Sequence, residues 1–459
     1  MRDRLFKALE HSRADYTDIR VERSWRSLVV YEGPQLNQIS TATEVGGIVR
    51  CLVGGGWGVA VFNSLDRLPE RVEDAERIAR LVAAEVREPI TLAPVPPVQD
   101  EVRVTLVRDP REVPLQEKQA LVERYNQILL GYSPKIVTTA AWYGDTFSEV
   151  WFANSEGTLI VEERPDVRLG LVPVARDGDN VQSPSESTGA AAGFEAVQGQ
   201  EDRAETAARR AVSLLQAKPV KGGVYTVVLD PKLTGVFIHE AFGHLCEADF
   251  LAKNPPMLQI LHLGRAFGPP ELNVLDDGYV AGSRGNYKYD DEGTLRRQVY
   301  LIRNGVLEGF LHNRETAGRM GAAPTGNARA ISYQFEPIVR MRNTYVGQGS
   351  VPFAEMIHDI DEGIYACGAI GGTTALEQFT FSADHAYEIV HGQVGSMLRD
   401  VVLTGNIFET LRSIEAIGDD LQILNSSGGC GKSGQSPLPV TDGGPHIRIR
   451  GVTIGGRAA

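Results

Sequence analysis

Residues 224–250 read VYTVVLDPKLTGVFIHEAFGHLCEADF, and this stretch decides the fold class. Val224–Leu229 is dominated by β-branched residues and spells a strand. Pro231 and Thr234 then open a helix, because proline fits the first turn where its missing N–H is not needed. That helix carries His239-Glu240-Ala241-Phe242-Gly243-His244. Downstream, from about Glu271, short β-like runs separated by glycines take over: Tyr300–Asn304 with Gly305, Ile338–Tyr345, Tyr387–Val390 with Gly392, and His446–Ile454. Periodicity alone therefore describes a mixed protein that becomes strand-heavy after residue 220.

The half before Pro219 has another texture. Tyr16–Val30 alternates as a strand, and Gly46–Phe62 reads as two strands around a glycine turn. Val72, Ala75, Ile78, Leu81 and Val82 recur at helical spacing between Pro69 and Pro89. Ala93–Pro97, with prolines at 94, 96 and 97, continues neither element and acts as a linker. A helix is expected over Pro114–Leu130, then strands near Ile136–Tyr143 and Glu149–Asn154. Gln182–Ala192 reads as a polar loop, and Gln200–Gln216, rich in Ala, Arg and Glu, as a helix. The expected division is an amino-terminal sheet-and-helix domain over residues 1–219 and a β-rich domain over 220–459.

The 459 residues hold 46 Lys+Arg against 59 Asp+Glu, a net charge of −13. A chain this acidic has no basic stripe for a phosphate backbone or an anionic membrane surface, so neither nucleic acid nor membrane is an expected partner. No apolar run reaches the ~18 residues of a spanning helix. The charged start MRDRLFKALEHSRADY does not resemble a secretory signal. Four dispersed cysteines, Cys51, Cys246, Cys367 and Cys430, make no disulfide framework. A soluble, reducing, cytoplasmic setting is the expectation.

Two imidazoles with a carboxylate beside them suit a catalytic zinc site: ligands that hold a Lewis acid, and a base for the attacking water. The common spacing sets such histidines four apart on one helical face. His239 and His244 are five apart, which at ~100° per residue separates them by about 140°. Both rings reach one metal only if the helix is wound looser there, and Gly243 lowers the cost of a π-type bulge. A third ligand is required. Cys246 and Glu247 are near in sequence, and Cys430 lies far off in the small-residue loop NSSGGCGKSGQ. Spacing does not choose among them. Glu247 and Asp249 suit either orienting a ligand or an ion pair.

HEAFGHLCEAD, YKYDDEG at 287–293 with LIRNGVLEGFL after it, TGNARA at 325–330, RMRNTYV at 340–346, and GGCGKSGQ before a terminal VTIGG occur in this order. Together they resemble the TldD branch of the TldD/PmbA metallopeptidases, across essentially all of the second half. The resemblance implies one zinc per chain held by His239, His244 and Cys430, with Glu240 as catalytic base. It also implies a β-rich, barrel-like carboxy-terminal domain within an α+β fold. The implied activity is hydrolysis of small or unfolded peptides, including peptide precursors, inside a dimer cavity. The partner is a second copy or a PmbA/TldE-like subunit. Substrate-binding residues are not indicated. The competing readings are a metal-free scaffold subunit of a peptidase complex and a zinc hydrolase of non-peptide amides.

Other motifs carry less. SSGGCGKS lacks the first glycine of a phosphate loop, since Ser426 stands there, and Pro437 and Pro439 follow where a helix should run. GGGWG at 54–58 precedes a strand pattern and is a turn, not a dinucleotide fingerprint. Asp290-Asp291-Glu292 before Gly293 is expected as a solvated turn. His312, His358, His385, His391 and His446 are scattered and default to structural roles.

Overall fold

The structure is a computed structural model that describes residues 1–455. The amino-terminal half builds one sheet from β1 (Tyr16–Glu32), β2 (Gln35–Val53), β3 (Gly56–Phe62), β4 (Gln99–Val102), β5 (Ile136–Asn154), β6 (Leu159–Asp177), β7 (Asn180–Gln182) and β8 (Glu186–Ala190). Its order is β3-β2-β1-β5-β6-β4, with β7 and β8 also on β6. The strand side chains alternate between two different environments. Ile19, Val21, Val29 and Tyr31 of β1 pack beneath α1 (Arg2–Leu9), α2 (Leu68–Ala83), α3 (Leu115–Gly131) and α4 (Glu201–Gln216). Asp18, Arg20, Glu22 and Ser24 on the opposite face are buried as well.

That second face meets the carboxy-terminal half through buried ion pairs. Asp291 lies 2.8 Å from Arg20 and 2.7 Å from Arg164, Glu292 lies 3.1 Å from Arg50, and Arg284 lies 2.6 Å from Asp166. The turn Asp290–Glu292 is therefore buried, contrary to the solvated turn expected from its composition. The arginines that neutralise Asp291 and Glu292 come from β1, β2 and β6, remote in the chain. Asp290 takes backbone N–H groups instead, from Glu292, Thr294 and Ala328.

Beyond Lys218 two more large sheets form. The ten-stranded sheet runs from the edge strand Gly371–Ala375 through Gln378–Ser382, Val402–Asn406, Ile447–Gly455, β10 (Gly223–Leu229), Glu362–Cys367, His385–Val390 and Gln393–Arg399 to β9 (Lys218–Pro219), with Ile414–Ile417 off this path. The six-stranded sheet includes Val274–Asp277, Asn343–Val346 and Thr441–Gly444. Helix α5 (Pro231–Ile238) lies between these two sheets over the main apolar core. A barrel closes only when its end strands pair. Here Gly371–Ala375 and β9 end an open path, so the expected barrel is replaced by two open sheets around a helix.

Most other expectations match within a few residues. Two do not. The strands expected at 136–143 and 149–154 are one 19-residue strand, held extended across Gly144 and Asp145 by ladders to β1 and β6 on its two sides. The polar loop 182–192 contains β8, which pairs with β6 from Val167 to Leu171. Among the described residues no helix is long and apolar enough to cross a membrane.

Candidate metal centre

The centre is assembled at the end of α5. Asp230 caps the helix, accepting the Leu233 N–H at 2.7 Å, and its other oxygen accepts Gly368 N–H at 3.0 Å. Gly235 lets α5 press against the strand Thr441–Gly444, since a Cβ there would stand 2.4 Å from the Gly443 nitrogen. After Ile238 the helix widens into a π turn over His239–Gly243, and the His244 N–H bonds the His239 carbonyl. This i→i+5 bond brings residues five apart to one side, which removes the rotation that separates them in an ordinary helix. Gly243 has ordinary helical dihedrals, and what calls for glycine there is space, because a Cβ on it would lie 2.2 Å from Met341 Sδ.

The His239 and His244 rings stand 5.2 Å apart at 88°. Cys430 reaches them from the hairpin formed by Cys430–Lys432 and Gln435–Leu438. Arg340, fully buried, pins that hairpin by donating to the Cys430 carbonyl at 2.7 Å and the Gln435 carbonyl at 3.2 Å. Cys430 Sγ lies 3.2 Å from His244 Nε2, and one donor atom from each of His239, His244 and Cys430 falls within 4.8 Å of the others. Zinc bonds of 2.3 Å to sulfur and 2.0–2.1 Å to nitrogen, at tetrahedral angles, set such atoms about 3.5 Å apart. Two imidazoles and a thiolate so placed fit a zinc ion.

Behind these three donor atoms lies a charged network. His244 Nδ1 is 2.9 Å from Glu247 Oε2, a carboxylate only 1% exposed. Lys432 donates to Asp249 at 2.6 Å and to the Val339 carbonyl at 2.8 Å, and sits 3.0 Å from Glu247. Burial by itself would raise Glu247, but His244 and Lys432 bring it down to about 2. Burial would likewise raise the Cys430 thiol, yet the two histidines lower it to about 4. His239 Nδ1 is buried with no hydrogen-bond partner among the described residues.

Glu240 stands at the mouth, its carboxylate 3.9 Å from His244 Nε2 and about a third exposed. It lines a cleft of ≈ 310 Å³ with Leu245, Phe250, Leu376 and Lys432. Cys246 is fully buried in the apolar core, where burial pushes its thiol well above the ordinary value, and it is not part of the cluster. Lys432 and Arg340 were not singled out in the sequence. Lys432 follows Cys430 by two positions, but the carboxylates it meets belong to another stretch of chain.

Family models match the chain over residues 17–84, 108–215 and 222–456, as domain 1, the central domain and the C-terminal domain of the PmbA/TldA metallopeptidases. The chain belongs to the TldD/PmbA metallopeptidase family. A Synechocystis relative named a metalloprotease is 45% identical over 449 residues, covering 98% of this chain and 96% of the relative. A Saccharolobus solfataricus relative, named a zinc metalloprotease TldD homolog, is 29% identical and covers 98% of each chain. Two solved structures share the fold. TldE from Thermococcus kodakarensis superposes with a TM-score of 0.79 at 20% identity, over 99% of this chain and 100% of that one. A Thermotoga maritima protein gives 0.81 at 21% identity, over 99% of each.

Proposed function

We propose that the chain is a zinc-dependent peptidase that hydrolyses small or unfolded peptides, with His239, His244 and Cys430 as ligands and Glu240 as base. The observation that carries this reading is the π turn, which sets both histidines toward Cys430 while leaving Glu240 at the cleft. The name of the zinc metalloprotease relative supports the same metal. Zinc bound there supplies Lewis acidity, which polarises a peptide carbonyl and makes a water molecule easier to deprotonate. Glu240 takes the proton of the attacking water and returns it to the leaving amine. Glu247 accepts the Nδ1–H of His244 and so keeps Nε2 free as a donor atom. Leu245 and Phe250 give the cleft an apolar wall against a substrate side chain. We further propose a cytoplasmic location, a domain division near residue 219, and a dimer with a second copy or a PmbA/TldE-like chain. The TldE likeness supports the last of these.

The test combines elemental analysis with a panel of unstructured peptides. Wild type is expected to hold about one zinc per chain and Cys430→Ser much less. Glu240→Gln is expected to keep its zinc and lose turnover by roughly 10²–10⁴-fold. A chain purified without chelators that holds no metal, with Glu240→Gln indistinguishable from wild type, would establish a scaffold subunit instead. Turnover of small amides with no peptide cleaved would establish the amide hydrolase.

A further inference from the structure

The sheet face that meets the carboxy-terminal half carries a cavity of ≈ 220 Å³ in the seam between the halves. Arg26 of β1, Thr146 of β5 and Arg168 of β6 line it from the sheet side, and Tyr287, Pro437 and Pro439 from the other half. Arg26, Thr146 and Asp166 are register neighbours across three strands, so Arg26 starts about 10 Å from β6. Arg168, two residues beyond Asp166 on the same face, leans back over β5: a Cβ on Gly144 would stand 3.4 Å from its Nη2. The other arginines of the cavity are occupied. Arg20 pairs with Asp291, and Arg164 with Asp291 and Glu162. Arg26 and Arg168 donate no hydrogen bond to any described residue, and the Nε of each is buried without a partner. The carboxylates they approach are Glu44, 3.8 Å from Arg26, and Asp166, 3.3 Å from Arg168 but already held by Arg284 at 2.6 and 3.0 Å. Glu22 also lines the cavity, but it accepts the Ser148 hydroxyl and lies four residues, about 14 Å, along β1 from Arg26. Burial, with the charges of Arg284 and Arg26 added, pulls the Arg168 guanidinium below its ordinary value although Asp166 opposes this. Donors left unmade in a buried place cost free energy that an acceptor would recover.

We propose that this cavity is a second binding site, in which Arg26, Arg168 and the Thr146 hydroxyl hold a small oxyanion, either a phosphate group or a carboxylate. A guanidinium fork meets both groups with paired N–H donors. Thr146 stands between the two arginines and its hydroxyl bonds no described residue, so it supplies a further donor. The Arg26 side chain is 41% exposed and that of Arg168 24%, so the site opens to solvent at the Arg26 end. None of the residues around it lines the cleft beside Glu240, and the proposal does not depend on the peptidase reading. The two places are nonetheless joined, because Leu438 lines the cavity and pairs with Cys430 across the hairpin. An anion held here ties the amino-terminal sheet to the hairpin that carries Cys430.

The test is calorimetry on the full chain, titrated with inorganic phosphate and separately with succinate at physiological ionic strength. Wild type is expected to bind at least one of them; phosphate alone identifies a phosphate group as the ligand, and succinate alone a carboxylate. Arg26→Gln and Arg168→Gln are each expected to bind about 10–100-fold more weakly, the loss of one charge-assisted bond. The bound anion should also raise the unfolding midpoint of wild type by mass action, and that of the variants less. Circular dichroism and zinc content of both variants should match wild type, since neither side chain hydrogen-bonds a described residue; this separates a lost site from misfolding. Thr146→Val, which keeps the strand and changes no charge, should weaken binding as well, and it carries the test if an arginine variant does not fold. Equal binding by wild type and all the variants places the anion elsewhere and overturns the site. Neither heat nor a midpoint shift with either anion at millimolar concentration overturns it too.

Discussion

Replacing Glu247 by glutamine tests the network behind the candidate metal centre without disturbing any proposed ligand. The carboxylate is buried, 2.9 Å from His244 Nδ1 and 3.0 Å from Lys432. Glutamine keeps an acceptor of the same size but removes the charge. A hydrogen bond to a charged acceptor contributes about 1.5–3 kcal/mol and a neutral one about 0.5–1.5, so roughly 1–2 kcal/mol of ring orientation is lost. Loss of such an orienting partner weakens metal binding by about 10–100-fold, which is about 1.4–2.7 kcal/mol, and the two ranges overlap. Lys432 keeps Asp249 and the Val339 carbonyl, so its hairpin should stay in place. The assay is competition for zinc against a chromogenic chelator at fixed pH, on wild type, Glu247→Gln and Asp249→Asn. Glu247→Gln should bind zinc about 10–100-fold more weakly, and Asp249→Asn, which touches no ring, much less so. Equal affinity in wild type and Glu247→Gln would refute the idea that Glu247 prepares His244 for the metal.

Gly243→Ala should press a methyl group into Met341, costing about 1–3 kcal/mol of stability and lowering zinc occupancy. Met341→Ala in the same chain should recover part of both losses, as read by denaturation and elemental analysis. Asp291→Asn should destabilise the contact between the two halves by about 3–5 kcal/mol, because Arg20 is left buried with a neutral partner while Arg164 keeps only Glu162 as a charged one; the denaturation midpoint reads it. Burial alone would raise Asp291, but Arg20 and Arg164 hold it well below the ordinary carboxylate range. Its contribution is therefore present above the unfolded value near ~4 and lost as pH falls toward the depressed native value. Asp291→Asn should accordingly flatten the acid limb of the stability–pH curve.

What the sequence determined by itself was local. The strand Val224–Leu229, the helix opened by Pro231, and the pair of histidines around Glu240 all depend on neighbours a few residues away. Even the π turn was legible, because five-residue spacing states the geometric problem that a looser turn solves, although Gly243 serves there to make room for Met341 rather than to bend the backbone. Cys430 was not chosen by spacing, which left it level with Cys246 and Glu247; it entered only through a family resemblance. Tertiary structure separated the three by carrying Cys430 to the histidines on an Arg340-pinned hairpin, sending Cys246 into the core, and placing Glu247 behind His244. The same limit explains the acidic turn 290–292 and the expected barrel. Local composition reports that Asp291 is polar, but only the arrival of Arg20 and Arg164 makes its burial possible. Short strands announce a sheet, yet whether its end strands meet depends on the order in which distant segments pair. The pattern of apolar and special residues sets local geometry, while the assembly of remote charges, ligands and sheet edges is decided by packing.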